Sequence, residues 1–176
     1  MRRSLLALAL LGFLASAWSA SAASLNIVAL GASNTAGMGK GNHPGGVPRN
    51  QAFPAQLEAM LRANGLDAHV RNAGVAGDTT AGMLRRMDAA VPNGTQIVIL
   101  QTGGNDERRG VGGDAGANTA QITSKLEARG IKVIRLELNT FAPASTRDPD
   151  GEHYNAQGHA AVAAGLLPRV IAAAGK

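Results

Sequence analysis

The sequence predicts an α/β protein, a three-layer sandwich around a parallel sheet of about four strands, and three observations carry that prediction. Four short apolar runs containing Ile, Val and Leu recur along the 176-residue chain, bounded by Gly or Asn. Segments of helical periodicity separate them, and strands alternating with helices build parallel sheets covered on both faces. Two of the runs are almost continuously apolar, as central strands are, while the other two alternate, as edge strands do.

Residues 1–23 are set aside from the fold. Arg2-Arg3 precede an apolar stretch from Leu5 to Leu14, and Ala20-Ser21-Ala22 then offers a small-x-small cleavage site. That pattern predicts a cleaved export signal peptide, with residues 24–176 as one domain and a periplasmic or secreted location. The stretch is too short for a stable membrane anchor.

The first strand is predicted over Leu25-Asn26-Ile27-Val28-Ala29-Leu30 and the second over Ala68-His69-Val70-Arg71-Asn72. The third covers Ile97-Val98-Ile99-Leu100 and the fourth Ile131-Lys132-Val133-Ile134-Arg135-Leu136. Residues 52–63 form a helix with Phe53, Leu57, Met60 and Leu61 on one stripe and Asn64-Gly65 as its stop. Residues 80–87 carry Met83, Leu84 and Met87 as a shorter helix, and residues 117–129 carry Ile122 and Leu126. The last helix runs over 155–173, where Pro168 is expected to kink or split it. Residues 37–50 and 107–118 are Gly-rich and read as loops.

Composition narrows the function classes. There is no Cys, which excludes disulfides, thiolate chemistry and a cysteine-linked lipid. The formal charge is +5, of which Arg2 and Arg3 contribute two, and no basic run is interleaved with aromatics. Nucleic acid is therefore not expected as a partner. The pairs Arg85-Arg86 and Arg108-Arg109 read as solvated faces, the second of interest because it follows Asn105-Asp106. The glycines around Gly39-Lys40 lack the spacing of either a dinucleotide fingerprint or a P-loop.

Four patches carry the chemistry. They are Gly31-Ala32-Ser33-Asn34, Ala76-Gly77-Asp78-Thr79, Gly103-Gly104-Asn105-Asp106 and Asp150-Gly151-Glu152-His153. The first three follow strands, so they meet at the carboxyl edge of the sheet, where such folds bind ligands. Ser33 supplies a nucleophile, although Ser is also a common helix N-cap and alone that reading outweighs the other. Gly77 and Asn105 can join the Ser33 amide as donors to an oxyanion. The Asp150-x-x-His153 spacing lets a carboxylate orient an imidazole as general base. Asp148 is a weaker competitor for that acid, and His159, near His153 and Asp150, lacks a third ligand for a metal. His43 and His69 read as ordinary loop and strand residues.

Together these patches resemble the blocks of the SGNH hydrolases, the GDSL-type esterases and lipases, over essentially the whole stretch from Gly31 to His153. The runs 72–79 and 103–106 most resemble the branch of secreted thioesterase, lysophospholipase and arylesterase enzymes. The resemblance implies a flavodoxin-like sandwich, Ser33, Asp150 and His153 as catalytic triad, and Ser33, Gly77 and Asn105 as oxyanion hole. It also implies a small acyl ester or thioester substrate, with no cofactor and no metal. Candidate substrates are short acyl esters, a lysophospholipid or an acetylated sugar. Three departures stand out: Ala32 and Asn34 replace the Asp and Leu of the first block, Tyr154 follows His153 where proline is frequent, and the span from Asn105 to Asp150 is short. The short span predicts four strands in place of five, with the acid–base loop hanging from the fourth. A non-catalytic periplasmic binding module is the alternative, and oligomeric state is not encoded in any of these signals.

Overall fold

The computed structural model describes residues 24–38, 45–137 and 139–176, so the predicted leader, His43 and Lys40 lie outside the described residues. Four strands form one parallel sheet: β1 (Leu25–Gly31), β2 (Ala68–Gly74), β3 (Ile97–Leu100) and β4 (Lys132–Arg135), in the order β2-β1-β3-β4. The two continuously apolar runs are the central strands, and the two alternating runs are the edges. Register brings their carboxyl ends level, with Gly31 opposite Gly74, Leu30 opposite Leu100 and Leu100 opposite Arg135.

Among the described residues, six α-helices accompany the sheet: α1 (Ser33–Ala36), α2 (Phe53–Ala63), α3 (Thr80–Ala90), α4 (Asn105–Arg108), α5 (Ala115–Ala128) and α6 (Ala156–Ala173). Because strand side chains alternate, β1 sends Ile27 and Ala29 to one face and Val28 and Leu30 to the other. On the first face they meet Phe53, Leu57 and Leu61 of α2 and Val162, Leu166 and Val170 of α6. On the second they meet Met83 and Met87 of α3 and Ile122 and Leu126 of α5. With few aromatics, the core is built from small aliphatic side chains covered on both sides, which is why β1 and β3 show almost no polar residues.

Two expectations are corrected. Pro168 does not split the last helix, which is one α-helix from Ala156 to Ala173. Proline forfeits a single backbone bond, and the fully buried Leu166 and Val170 on either side keep the helix seated on the sheet. The stretch 107–118 is not loop throughout: α4 ends at Arg108, a 3-10 turn covers Gly112–Asp114, and α5 begins at Ala115.

Candidate active site

The nucleophile candidate sits where β1 gives way to α1. A methyl on Gly31 would meet Thr35 Oγ1 at 2.1 Å, so the turn closes only around a glycine. Buried Gln101, just beyond β3, accepts the Ala32 N–H at 3.2 Å and the Thr35 hydroxyl at 3.1 Å. Ser33 is the first residue of α1; the N-cap position belongs to Ala32, and no side chain caps the helix. The N-cap reading of Ser33 is therefore not what the fold uses. Ala32 packs into the core on the α3 and α5 side, and Gln101 holds the turn that lacks the usual carboxylate.

The oxyanion candidates come from the loops after β2 and β3. Gly77 takes a left-handed φ of +77°, a conformation costly for other residues. Asn105 is buried, and its amide is oriented from both ends. Nδ2 donates to the Asp78 carbonyl at 2.7 Å, while Oδ1 accepts Arg108 Nη2 at 2.7 Å. One N–H of the amide remains to face a ligand. Arg109 Nη2 donates to the Gly77 carbonyl at 2.7 Å, so Arg108-Arg109 brace both loops and are not simply a solvated face. Arg86 departs further from its sequence reading. Its Nε meets Asp78 Oδ2 at 2.7 Å, and its Nη atoms donate to the Ala73 and Gly31 carbonyls at 2.8 and 3.0 Å. A single guanidinium thus ties the ends of β1 and β2 to the Gly77 loop. Beneath Asn105, buried Asp106 accepts from the Thr80 hydroxyl at 2.5 Å and from the Thr80 N–H at 3.1 Å, anchoring α4 to α3.

The acid–base candidates lie in the long loop between β4 and α6. Asp150 Oδ2 is 2.6 Å from His153 Nδ1, and Asp150 Oδ1 accepts the N–H groups of Glu152 and His153 at 2.9 and 3.0 Å. Burial pushes the Asp150 pKa upward, but the hydrogen bonds from the His153 side chain and backbone, the His153 charge and the Gly45 backbone outweigh it. The net effect holds the carboxyl below its ordinary value. Asp148 is turned elsewhere, its carboxylate accepting the Gly46 N–H, while its own N–H donates to the His153 carbonyl at 2.8 Å.

Ser33 and Asn105 line one cavity of about 510 Å³, together with Asn34, Arg108, Arg147 and Glu152, the residue before His153. Gly77 and His153 are not among its lining residues: Gly77 precedes Asp78, whose carbonyl accepts Asn105 Nδ2, and His153 is buried next to the lining residue Glu152. Among the described residues, no hydrogen bond joins the Ser33 hydroxyl to His153; such bonds commonly tighten only with substrate present. Residue patterns alone missed Gln101, Arg86, Asn34 and Arg147, because buried amides and guanidiniums have no characteristic spacing.

No group of three His, Cys, Asp or Glu side chains among the described residues could hold a metal. His159 is instead a core histidine, stacked on Phe53 at 6.5 Å and edge-on to Tyr154 at 6.1 Å, with Nδ1 accepting the Phe53 N–H at 3.2 Å. Burial depresses its pKa to about 4, against the raising effects of the Gly37 backbone and Asp148 and with a further lowering by His153. The unfolded chain binds this proton more readily, so stability is complete above pH 6.5 and falls as the pH drops toward 4. The loss across that window is expected to be roughly 3 kcal/mol, at 1.36 kcal/mol per pKa unit. Urea midpoints at pH 7 and pH 4.5 should converge in His159→Gln relative to the unmodified protein; equal pH slopes in both would refute the assignment.

The description GDSL-like Lipase/Acylhydrolase family fits residues 29–168, whose pattern that family's sequence model matches. Esterase TesA of Pseudomonas aeruginosa is 35% identical over 95 residues, which span 53% of this chain and 47% of that protein. The chain therefore spans about half the length of that curated relative. Among solved structures, AlinE4, an SGNH-hydrolase family esterase, is 30% identical, with 85% of this chain and 71% of that chain covered at a TM-score of 0.55. A TesA crystal structure superposes at a TM-score of 0.70 over 84% of this chain and 99% of that one, at 22% identity, a likeness of fold.

Proposed function

This chain belongs to the GDSL-like lipase/acylhydrolase family, and from that premise we propose that it is an exported serine esterase working through an acyl-enzyme. The observation that carries the proposal is the 2.6 Å Asp150–His153 pair, held in the loop that walls the cavity lined by Ser33 and the oriented amide of Asn105. With Asp150 on Nδ1, His153 Nε2 is the nitrogen for the serine proton. Ser33 Oγ attacks the ester carbonyl carbon as His153 takes its proton. The resulting oxyanion is held by the Ser33 and Gly77 N–H groups and Asn105 Nδ2. The C–O bond then breaks, His153 returns its proton to the departing alcohol, and water attacks the acylated Ser33 by the same route to release the acid. Export rests on the Arg2-Arg3, apolar stretch and Ala20-Ser21-Ala22 pattern.

The substrate we propose is an ester or thioester with a short acyl group on a polar alcohol. Among the described residues, Ala32 and Ala144 are the only apolar side chains lining the cavity, and they offer a long acyl chain little to bury against. The esterase names of TesA and AlinE4 support the reaction class. A p-nitrophenyl phosphonate ester is expected to add one phosphonyl group to Ser33, seen by intact mass and peptide mapping. p-Nitrophenyl acetate should be hydrolysed with a higher kcat/KM than the laurate. Absence of both labelling and turnover would favour a binding module; a preference for laurate would overturn the substrate class alone.

A further inference from the structure

We propose that Asn34, the residue after the nucleophile candidate, is a positioning residue that sets His153 against Ser33. Its buried amide grips the backbone on both sides of that histidine. Nδ2 donates to the Glu152 carbonyl at 3.3 Å, and Oδ1 accepts the Tyr154 N–H at 3.0 Å. One planar group therefore fixes the two peptide units that flank His153, and α1 carries that group on the turn that presents Ser33. The nucleophile and its base come from opposite ends of the domain, and this amide is the direct bond between their loops.

Two departures from the family pattern are a single interaction in space. The acceptor Asn34 Oδ1 needs an N–H at position 154, which Tyr154 has and proline lacks. Tyr154 in turn is buried, its hydroxyl accepting the Asn139 N–H at 2.8 Å and its ring lying under Arg147 at 4.8 Å. The acid–base loop hangs from β4, an edge strand with no further strand beside it among the described residues, so a side-chain clamp supplies the fixation that a neighbouring strand would give.

The inference rests on His153 being the base, and the experiment separates the two ideas. Asn34→Leu should fold, since the Glu152 carbonyl keeps Arg147 Nη1 and the site adjoins Phe53, Leu136 and Val162. On p-nitrophenyl acetate its kcat is expected to fall roughly ten- to a hundredfold, the effect of a misplaced reacting group, with KM within about twofold. Asn34→Asp, which keeps only the acceptor, should fall less. The decisive comparison is His153→Ala against His153→Ala/Asn34→Leu: once the base is gone, losing the clamp should cost nothing further. Unchanged kcat in Asn34→Leu, or an undiminished loss in the His153→Ala background, overturns the positioning role. Full activity in His153→Ala alone would overturn the esterase reading instead. If Asn34→Leu proves unstable by thermal melting, Asn34→Asp carries the same comparison.

Discussion

Replacing Ser33 by alanine is expected to lower the kcat for p-nitrophenyl acetate by roughly 10⁴- to 10⁶-fold, the loss seen when a serine nucleophile is deleted. The reason is chemical: alanine offers no oxygen to form the acyl-enzyme, and the remaining rate comes from oxyanion donors acting on water. Stability should barely change. Ser33 caps no helix, and its side chain holds no hydrogen bond among the described residues. The thermal midpoint should therefore stay within about 2 °C, corresponding to at most about 1 kcal/mol for a domain of this size. Phosphonate labelling should disappear with the activity. A Ser33→Ala protein that turns over the ester at the unmodified rate would sink the covalent mechanism.

The second large effect is expected for Asp150→Asn, a loss of roughly 10³- to 10⁴-fold in kcat, comparable to such a change in other serine hydrolase triads. The asparagine can still accept the Glu152 and His153 N–H groups through its carbonyl oxygen, so the loop should keep its shape. What changes is the atom facing His153 Nδ1, now an NH₂ donor where a carboxylate stood 2.6 Å away. Nδ1 must then accept, the proton moves to Nε2, and the imidazole cannot take a proton from serine. Asp148→Asn should lose far less, because that carboxylate serves the Gly46 N–H. Equal losses in the two variants, or an Asp150→Asn rate within tenfold of the parent, would show that Asp150 does not set the tautomer.

Much of this molecule was legible in one dimension. β1 and β3 announce themselves because the part of a strand covered on both faces is almost continuously apolar, and β2 and β4 because an edge alternates. Ser33, Gly77 and Asn105 were legible as candidates because each follows a strand, and parallel strands bring their carboxyl ends to one edge. Asp150 and His153 were legible because a carboxylate and an imidazole three residues apart can meet within one loop. The departures at Ala32, Asn34 and Tyr154 were visible too, but only as missing matches.

The supporting residues were not legible. Arg86 beside Arg85 looks like any pair on a helix surface until β1 and β2 are in register, when it reaches the carbonyls of Gly31 and Ala73. Gln101 gains meaning only because β3 lies against β1 and delivers its amide to the Ala32 turn. Pro168 breaks helices in general, yet here the burial of its neighbours outweighs one lost bond.

The sequence by itself determined the family, the sheet and the five site candidates, because periodicity and block chemistry are local properties that survive without coordinates. Only the tertiary structure decided how those five are held: Gln101 and Arg86 under the nucleophile turn, Arg108 on the Asn105 amide, and Asn34 astride His153. The bonds of Gln101, Arg86 and Asn34 join residues far apart in the chain, and such a partner is settled by register and packing, which no local pattern encodes.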